Sequence, residues 1–195
     1  MRDARPWTYA ALFGALWGAA ELTLGTALNL SLLALAGPVM GVVGLACLVT
    51  LRRLQPRVGV CALAGAVALF LKVFTLGGLR PGPLLGIAGE ALLVELAFSL
   101  TASRRPGAAL AGALALAAPP AQLVLGLWTL GGRDVLRAWG EAITRATELL
   151  GLPGPPSLQV VLGLVLGGFA ALGVAAGLWA WQLAGRVQRR LGGGP

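Results

Sequence analysis

Four ionisable side chains lie within apolar stretches of this 195-residue chain: Glu21, Lys72, Glu90 and Glu95. A charged group near the centre of a membrane helix costs roughly 2.5–3.5 kcal/mol, so such groups usually face the interior of a helix bundle and find partners there. Glu90 and Glu95 would lie about 140° apart around a helix and therefore point to different neighbours. Lys72 either neutralises one of the carboxylates or contacts a ligand, and the sequence leaves both interpretations open.

One lysine cannot neutralise three carboxylates, and Glu21, Lys72 and Glu90 all approach the same end of the predicted helices. We therefore expect a polar cavity at that level, suited to a small polar ligand. Pro119 and Pro120 should kink a neighbouring helix and free backbone carbonyls there. Trp128 belongs to this level but is also typical of the aromatic belt at a membrane interface. The predicted substrate-binding residues are Glu21, Asn29, Lys72, Glu90, Glu95, Gln122, Trp128 and Trp139.

The residue types that most catalytic and metal sites need are absent. The chain has no histidine, which excludes histidine–metal sites and Ser-His or Cys-His nucleophile pairs. Cys47 and Cys61 form no C-x-x-C motif, and no phosphate-binding loop surrounds Lys72, the sole lysine. We therefore predict a protein that is not an enzyme and uses no metal or cofactor, so any ATP-derived energy must come from other subunits. For an enzyme, only carboxylate chemistry at Glu90 or Glu95 would remain.

Membrane helices are the elements that must position these groups. Hydrophobic residues make up 57% of the chain and charged residues 11%, whereas soluble domains carry about 25% charged residues. A membrane helix needs about 20 mainly apolar residues, and six stretches qualify, separated by connections rich in proline, glycine and arginine. We predict an all-α integral membrane protein whose surroundings are the lipid bilayer, with one domain that forms a bundle of six transmembrane helices. The predicted spans are 7–24, 32–51, 58–76, 84–102, 107–130 and 158–183.

Arginines are unevenly divided between the two ends of the predicted bundle. Because positively charged loops stay cytoplasmic, we expect both termini to face the cytoplasm in a multi-pass protein of the cell membrane. The net charge of +8 is then a topology signal, and nucleic acid binding is not expected. The richer end holds Arg2, Arg5, Arg52, Arg53, Arg57, Arg104, Arg105, Arg186, Arg189 and Arg190, and the other end holds Arg80, Arg133, Arg137 and Arg145.

The connection between the fifth and sixth spans has a helical pattern of its own. Leu136, Trp139 and Ile143 recur at helical spacing, and Glu141 precedes Arg145 in the favourable i,i+4 order. We predict an outer amphipathic helix within residues 131–157. It lies in the headgroup layer, covers the binding site, or does both.

Small residues follow two adjacent rows along the first span, at a spacing of four. Such rows form a flat helix face on which another helix can pack closely. We expect this face to dock a membrane partner. The two rows are Ala10, Gly14 and Gly18, and Ala11, Ala15 and Ala19.

The length, the six predicted spans and the first-span sequence ALFGALWGAAEL (residues 11–22) together resemble the substrate-binding S component of an energy-coupling factor (ECF) vitamin transporter. The resemblance implies a first helix that docks on a transmembrane T component, two ABC-type ATPase subunits, and capture of a vitamin or vitamin precursor near the outer face. It also implies that the S component reorients as the ATPases cycle. Nickel and cobalt members use an N-terminal histidine, which this chain lacks, so metal uptake is not expected. No residue set matches the riboflavin, thiamine or biotin binders, and the substrate is therefore left unassigned.

Two other classes of function compete with this interpretation. An accessory or assembly subunit would use the buried charges only for helix pairing and would bind no small molecule. A channel or proton-coupled carrier would need a chain of charges across the membrane, whereas the cytoplasmic halves of the predicted spans contain no ionisable residue. The substitution Glu90→Gln distinguishes the transporter from the accessory subunit. It would alter ligand binding in a transporter but only stability and partner binding in an accessory subunit.

Overall fold

The structure is a computed structural model that describes residues 4–31, 33–74, 81–149 and 156–191. Within these ranges short turns connect the helices and no strand occurs, so the predicted all-α class is confirmed. In chain order the elements are α1 (Arg5–Ala20), a π-helical turn (Glu21–Gly25), α2 (Thr26–Ser31), α3 (Leu33–Leu54), α4 (Val60–Val73), α5 (Pro81–Leu100), α6 (Arg105–Leu149) and α7 (Leu158–Leu191).

Several of these helices have the length and composition that crossing a membrane requires. Helix α4 is apolar, but its 14 residues are fewer than the roughly 20 that a full crossing needs. The predicted third span, 58–76, is therefore not confirmed as a crossing, and its last two residues lie outside the described ranges. Five stretches of the described chain qualify and indicate a multi-pass membrane protein: Arg5–Leu28, Gly37–Leu54, Gly82–Leu100, Arg105–Gly126 and Leu158–Arg190.

Helix α6 consists of two helical segments that meet at a kink at Gly132. The predicted fifth span ends at residue 130, close to this kink, and the second segment ends at Leu149. Gly132 interrupts the helix with a left-handed φ of 58°, a conformation that glycine adopts without steric cost. The segment from Gly132 to Leu149 is helical, and the outer amphipathic helix within residues 131–157 stays a prediction.

Contacts near the helix ends define one level of the bundle. The guanidinium of Arg57 lies over the ring of Trp7, near the start of α1, at 5.3 Å from the ring centroid. Near the end of α7, Gln188 accepts a hydrogen bond from Arg53 Nε at 3.3 Å. The first helix therefore begins, and the last helix ends, at the level of the α3–α4 turn. We call this level, which carries Arg52, Arg53 and Arg57, the arginine-rich end.

The two rows of small residues on α1 have different surroundings. A Cβ atom at Gly14 would lie 2.8 Å from Val67 Cβ, and one at Gly18 would lie 2.7 Å from Leu71 Cδ1, so both glycines pack tightly on α4. Ala10 is fully buried as well. Packing within the chain thus occupies one predicted docking row, which corrects that part of the prediction. The occupied row is Ala10, Gly14 and Gly18, and the row that stays exposed is Ala11, Ala15 and Ala19.

Helices α6 and α7 approach each other even more closely through glycine. A Cβ atom at Gly112 would overlap the carbonyl group of Gly173, and one at Gly177 would overlap the carbonyl group of Ala108. Close van der Waals packing of this kind drives helix association where lipid removes the hydrophobic effect between helices. At Gly163, in the first half of α7, an added Cβ would meet no atom within 4 Å. The tight α6–α7 packing at Gly173 and Gly177 therefore lies near the middle of α7 and not at its start.

Gly177→Ala should destabilise the bundle by about 1–3 kcal/mol, because the added methyl group overlaps the α6 backbone. The measurement is thermal or denaturant-induced unfolding in detergent. Gly163→Ala on the same helix is the matched control: its methyl group meets no atom, and alanine favours a helix over glycine by up to about 1 kcal/mol. Equal melting of the two variants would contradict this packing.

Candidate functional site

A cavity of about 720 Å³ lies among the π-helical turn, α3, α4, α5 and α6. Its walls come from the first halves of α3 and α5 and from the last turn of α4, so it lies away from the arginine-rich end. Its volume is in the range of about 300–1,000 Å³ that is usual for small-molecule sites. Most of the wall is apolar or glycine. The polar side chains in it are Glu21, Lys72, Glu90 and Gln122, all of them predicted site residues.

Glu21 and Lys72 form an ion pair in the cavity wall. Lys72 Nζ lies 3.0 Å from Glu21 Oε2 and also donates to the carbonyl oxygen of Glu21 at 3.3 Å. Glu21 begins the π-helical turn, a feature that is frequent at functional sites because it departs from the α-helical bonding pattern. Around this turn, the hydroxyl groups of Thr23 and Thr26 donate to backbone carbonyls at 2.9 and 2.8 Å. Lys72 thus neutralises a glutamate, which was one of its two predicted roles, and still lines the cavity.

Glu90 lines the same cavity, and one of its carboxyl oxygens has no hydrogen-bond partner among the described residues. Only 9% of its surface is exposed, its Oε1 has no hydrogen-bond donor, and none of the described salt bridges includes it. A Cβ atom at Gly44 would come within 2.7 Å of both Glu90 Oε1 and Trp17 Cε2, so glycine leaves the space that both groups occupy. The indole Nε1 of Trp17 is also buried without a partner. A buried carboxyl oxygen without a partner lowers stability. Glu90 is therefore the residue of the site that most strongly indicates a binding role.

Glu95 belongs to a separate cluster at the arginine-rich end. Its Oε2 accepts a hydrogen bond from the Cys61 N–H at 2.9 Å, and its Oε1 forms an ion pair with Arg52 Nη1 at 3.0 Å, outside hydrogen-bond geometry. Arg52 also donates from Nε to Ser103 Oγ at 3.1 Å and from Nη1 to the carbonyl oxygen of Arg57. The cluster links α3, α4, α5 and the α5–α6 turn. Glu95 does not line the cavity, so its predicted ligand role is corrected to a structural one.

The remaining predicted site residues divide into three cases. Gln122 reaches the cavity, and Gly89 makes room for it, since a Cβ there would lie 3.3 Å from Gln122 Nε2. Trp139 is 43% exposed and does not line the cavity. The side chains of Asn29 and Trp128 lie outside the part of the chain that the structure describes.

Sequence reasoning missed Trp17 and Arg52. Trp17 carried a signal, because it lies in the middle of a span and not at the interface where membrane tryptophans usually occur. Arg52 follows directly after a predicted span and was counted as a loop charge, yet it is only 2% exposed. The excess of carboxylates over lysine was a hint that another cation must enter the bundle.

A smaller cavity of about 330 Å³, which we call the annex, adjoins the main cavity and shares wall residues with it, including Gly41 and Ala115. Its lining is apolar and comes from α3, α6 and α7. The residues that belong to the annex alone are Pro38, Leu116, Pro120, Val165 and Phe169.

Comparison with known proteins identifies no family for this chain. No family model matches it, and neither the curated proteins nor the solved structures give a significant match. The side chains of the cavity are therefore the basis for inferring its chemistry. Within the described ranges no three His, Cys, Asp or Glu side chains come together as metal ligands. The cavity offers a balanced ion pair, an unpaired carboxylate and an amide, which are groups that bind a polar molecule.

The two glutamates of α5 should respond oppositely to the same isosteric change. Glu95→Gln removes the charge that balances buried Arg52 and should lower the free energy of unfolding by about 3–5 kcal/mol, the usual cost of breaking a buried pair. Glu90→Gln removes an unbalanced charge and should leave the stability unchanged or raise it. Unfolding curves of both variants in one detergent give the comparison, and a larger loss for Glu90→Gln would show that the two roles are assigned wrongly.

Proposed function

We propose that this protein is the substrate-capture subunit of an ATP-driven importer of a vitamin or vitamin precursor, of the ECF S-component kind. It binds a small polar ligand among its membrane helices and docks on a T component that carries two ABC-type ATPase subunits. The observation that carries the proposal is the 720 Å³ cavity with a buried carboxyl group in its wall, Glu90, whose Oε1 has no hydrogen-bond partner among the described residues. A bundle that serves only as a scaffold gains nothing from such a group, because a buried polar atom without a hydrogen-bond partner lowers stability.

The proposed topology places both termini in the cytoplasm of the cell, with the protein in the plasma membrane. Helix α4 crosses together with the five longer helices, which gives six crossings and an outer amphipathic segment after Gly132. The arginine-rich end supports this orientation, because positively charged loops remain on the cytoplasmic side. The cavity, which lies away from the arginine-rich end, is then nearer the outer face, where a ligand enters without first crossing the bilayer.

The exposed row of α1 supports docking on a T component. Ala11, Ala15 and Ala19 face away from the bundle, and the large side chains of Leu12 and Leu16 beside them are exposed as well. A row of small residues lets a partner helix approach closely. The chain has no phosphate-binding loop, so in this proposal the energy for release of the ligand comes from the ATPase subunits.

Native mass spectrometry of the protein extracted from its own membranes tests ligand capture. We expect a discrete added mass that is lost on denaturation. Gly86→Leu should abolish it, because Gly86 lines the cavity and a Cβ there meets no atom within 4 Å, so the larger side chain enters the ligand space.

The matched control is Gly163→Leu, which is equally unhindered but lies outside the cavity and should retain the added mass. An added mass that survives Gly86→Leu would show that the ligand binds elsewhere.

Docking is tested by replacing Ala15 and Ala19 together with leucine. The larger side chains should hold the partner helix away and abolish assembly, while ligand binding stays intact. The measurement is ATPase activity that copurifies with the tagged chain from its own cells. Ala175→Leu, at an exposed position of α7, should leave this activity unchanged, and normal activity with the double variant would rule out the α1 face.

An accessory or assembly subunit is the second candidate. It is favoured by the finding that Glu21 and Glu95 are both paired within the chain, as expected if buried charges serve helix pairing. In that case Glu90 contacts a partner helix in place of a ligand. The wild-type protein would then be extracted without an added mass.

A further inference from the structure

We infer that the ligand is a cationic amphiphile, with a protonated amine or a similar cationic donor at one end and an apolar body at the other. The inference rests on the proposed function, for which it names the ligand class. Glu90 would hold the cationic end in the main cavity. The annex would hold the apolar body.

The charge balance of the cavity points to the cationic end. Glu21 and Lys72 neutralise each other across 3.0 Å, so the pair favours neither a cation nor an anion. Glu90 adds a carboxylate whose Oε1 has no donor among the described residues. A cation that donates to Oε1 satisfies its charge and its hydrogen-bonding capacity together, and hydrogen bonds between ionised groups are about twice as strong as neutral ones. An anion would be repelled by the same group.

The backbone of α6 adds hydrogen-bond acceptors to this wall. Pro119 and Pro120 have no N–H, so the carbonyl oxygens of Ala115 and Leu116, four residues earlier, lack the donor that a regular helix supplies. Both of those residues line the cavities. A wall rich in acceptors favours a ligand rich in donors, and an ammonium group has three N–H donors and no acceptor.

The annex points to the apolar body. Among the described residues no polar side chain lines it, and its wall is continuous with that of the main cavity. No side chain of its described lining could replace the hydrogen bonds that a polar group loses on leaving water. An alkyl or ring carbon gains instead, because each buried methylene group tightens binding by about fourfold. One ligand that spans both compartments therefore needs opposite chemistry at its two ends.

Matched probes test the two ends separately, by titration calorimetry of the full chain in lipid nanodiscs with empty nanodiscs as the blank. n-Hexylammonium should bind at least tenfold more tightly than 1-hexanol, and hexanoate should bind most weakly. Ethylammonium should bind at least tenfold more weakly than hexylammonium, because its methylene groups do not reach the annex.

Variants assign each effect to its compartment. Glu90→Gln should reduce the preference for hexylammonium over hexanol to less than threefold. Val165→Trp, at a partly exposed position of the annex wall, should narrow the annex and erase the advantage of hexylammonium over ethylammonium. Leu164→Trp, at the more exposed neighbouring position outside the annex, should retain it. Phe169→Trp narrows the annex from the same helix and replaces Val165→Trp if that variant does not fold.

Equal or tighter binding of hexanol or hexanoate would overturn the cationic end, and an unchanged chain-length effect in Val165→Trp would overturn the apolar body. Capture itself stands in either case if Gly86→Leu abolishes binding of whichever probe binds best. If no probe binds but a native added mass of other chemistry is found, only the ligand class is overturned. If no probe binds and no native added mass is found, both the ligand class and the proposed function are overturned.

Discussion

A charge within a membrane bundle has to be paired, hydrogen-bonded or met by an occupant, because no water is present to solvate it. The buried carboxylates of this chain meet that constraint in different ways. Glu21 is paired with Lys72, and Glu95 is paired with Arg52 and bonded to the backbone of Cys61. Glu90 has no ion-pair partner among the described residues, and its Oε1 accepts no hydrogen bond from them. The two paired groups stabilise the bundle, and the third makes the cavity a candidate binding site.

The Arg52 cluster links several helices at the arginine-rich end of the bundle. Ala102 and Ser103 adopt left-handed φ values of 50° and 57° in the α5–α6 turn, a conformation that costs non-glycine residues roughly 1–2 kcal/mol each. The hydrogen bond from Arg52 to Ser103 helps to hold this turn. Arg53 lies 4.4 Å from the ring centroid of Trp181 and so links α3 with α7. Arginines that indicate topology by their number thus also fix the geometry of the end opposite the cavity.

Glycine has two opposite roles in this bundle. At Gly14 and Gly112 the missing Cβ lets helices approach to distances that any side chain would prevent. At Gly37 and Gly86 an added Cβ would meet nothing within 4 Å, and there the missing side chain leaves the cavity its volume. The first role is needed because membrane helices associate by close packing. The second role is needed because a ligand must find space among helices that would otherwise fill it.

The sequence by itself determined the helical class, the apolar stretches and the residues whose burial is costly, because hydropathy and charge are local properties of a segment. For the same reason it located Glu21, Lys72, Glu90 and Gln122, which the structure brings into one cavity. Only the tertiary structure decided that Glu95 pairs with Arg52, and that one row of α1 packs on α4 while the other stays exposed. These outcomes depend on how helices far apart in sequence rotate and approach one another, and close packing between surfaces, which no single segment encodes, sets that arrangement.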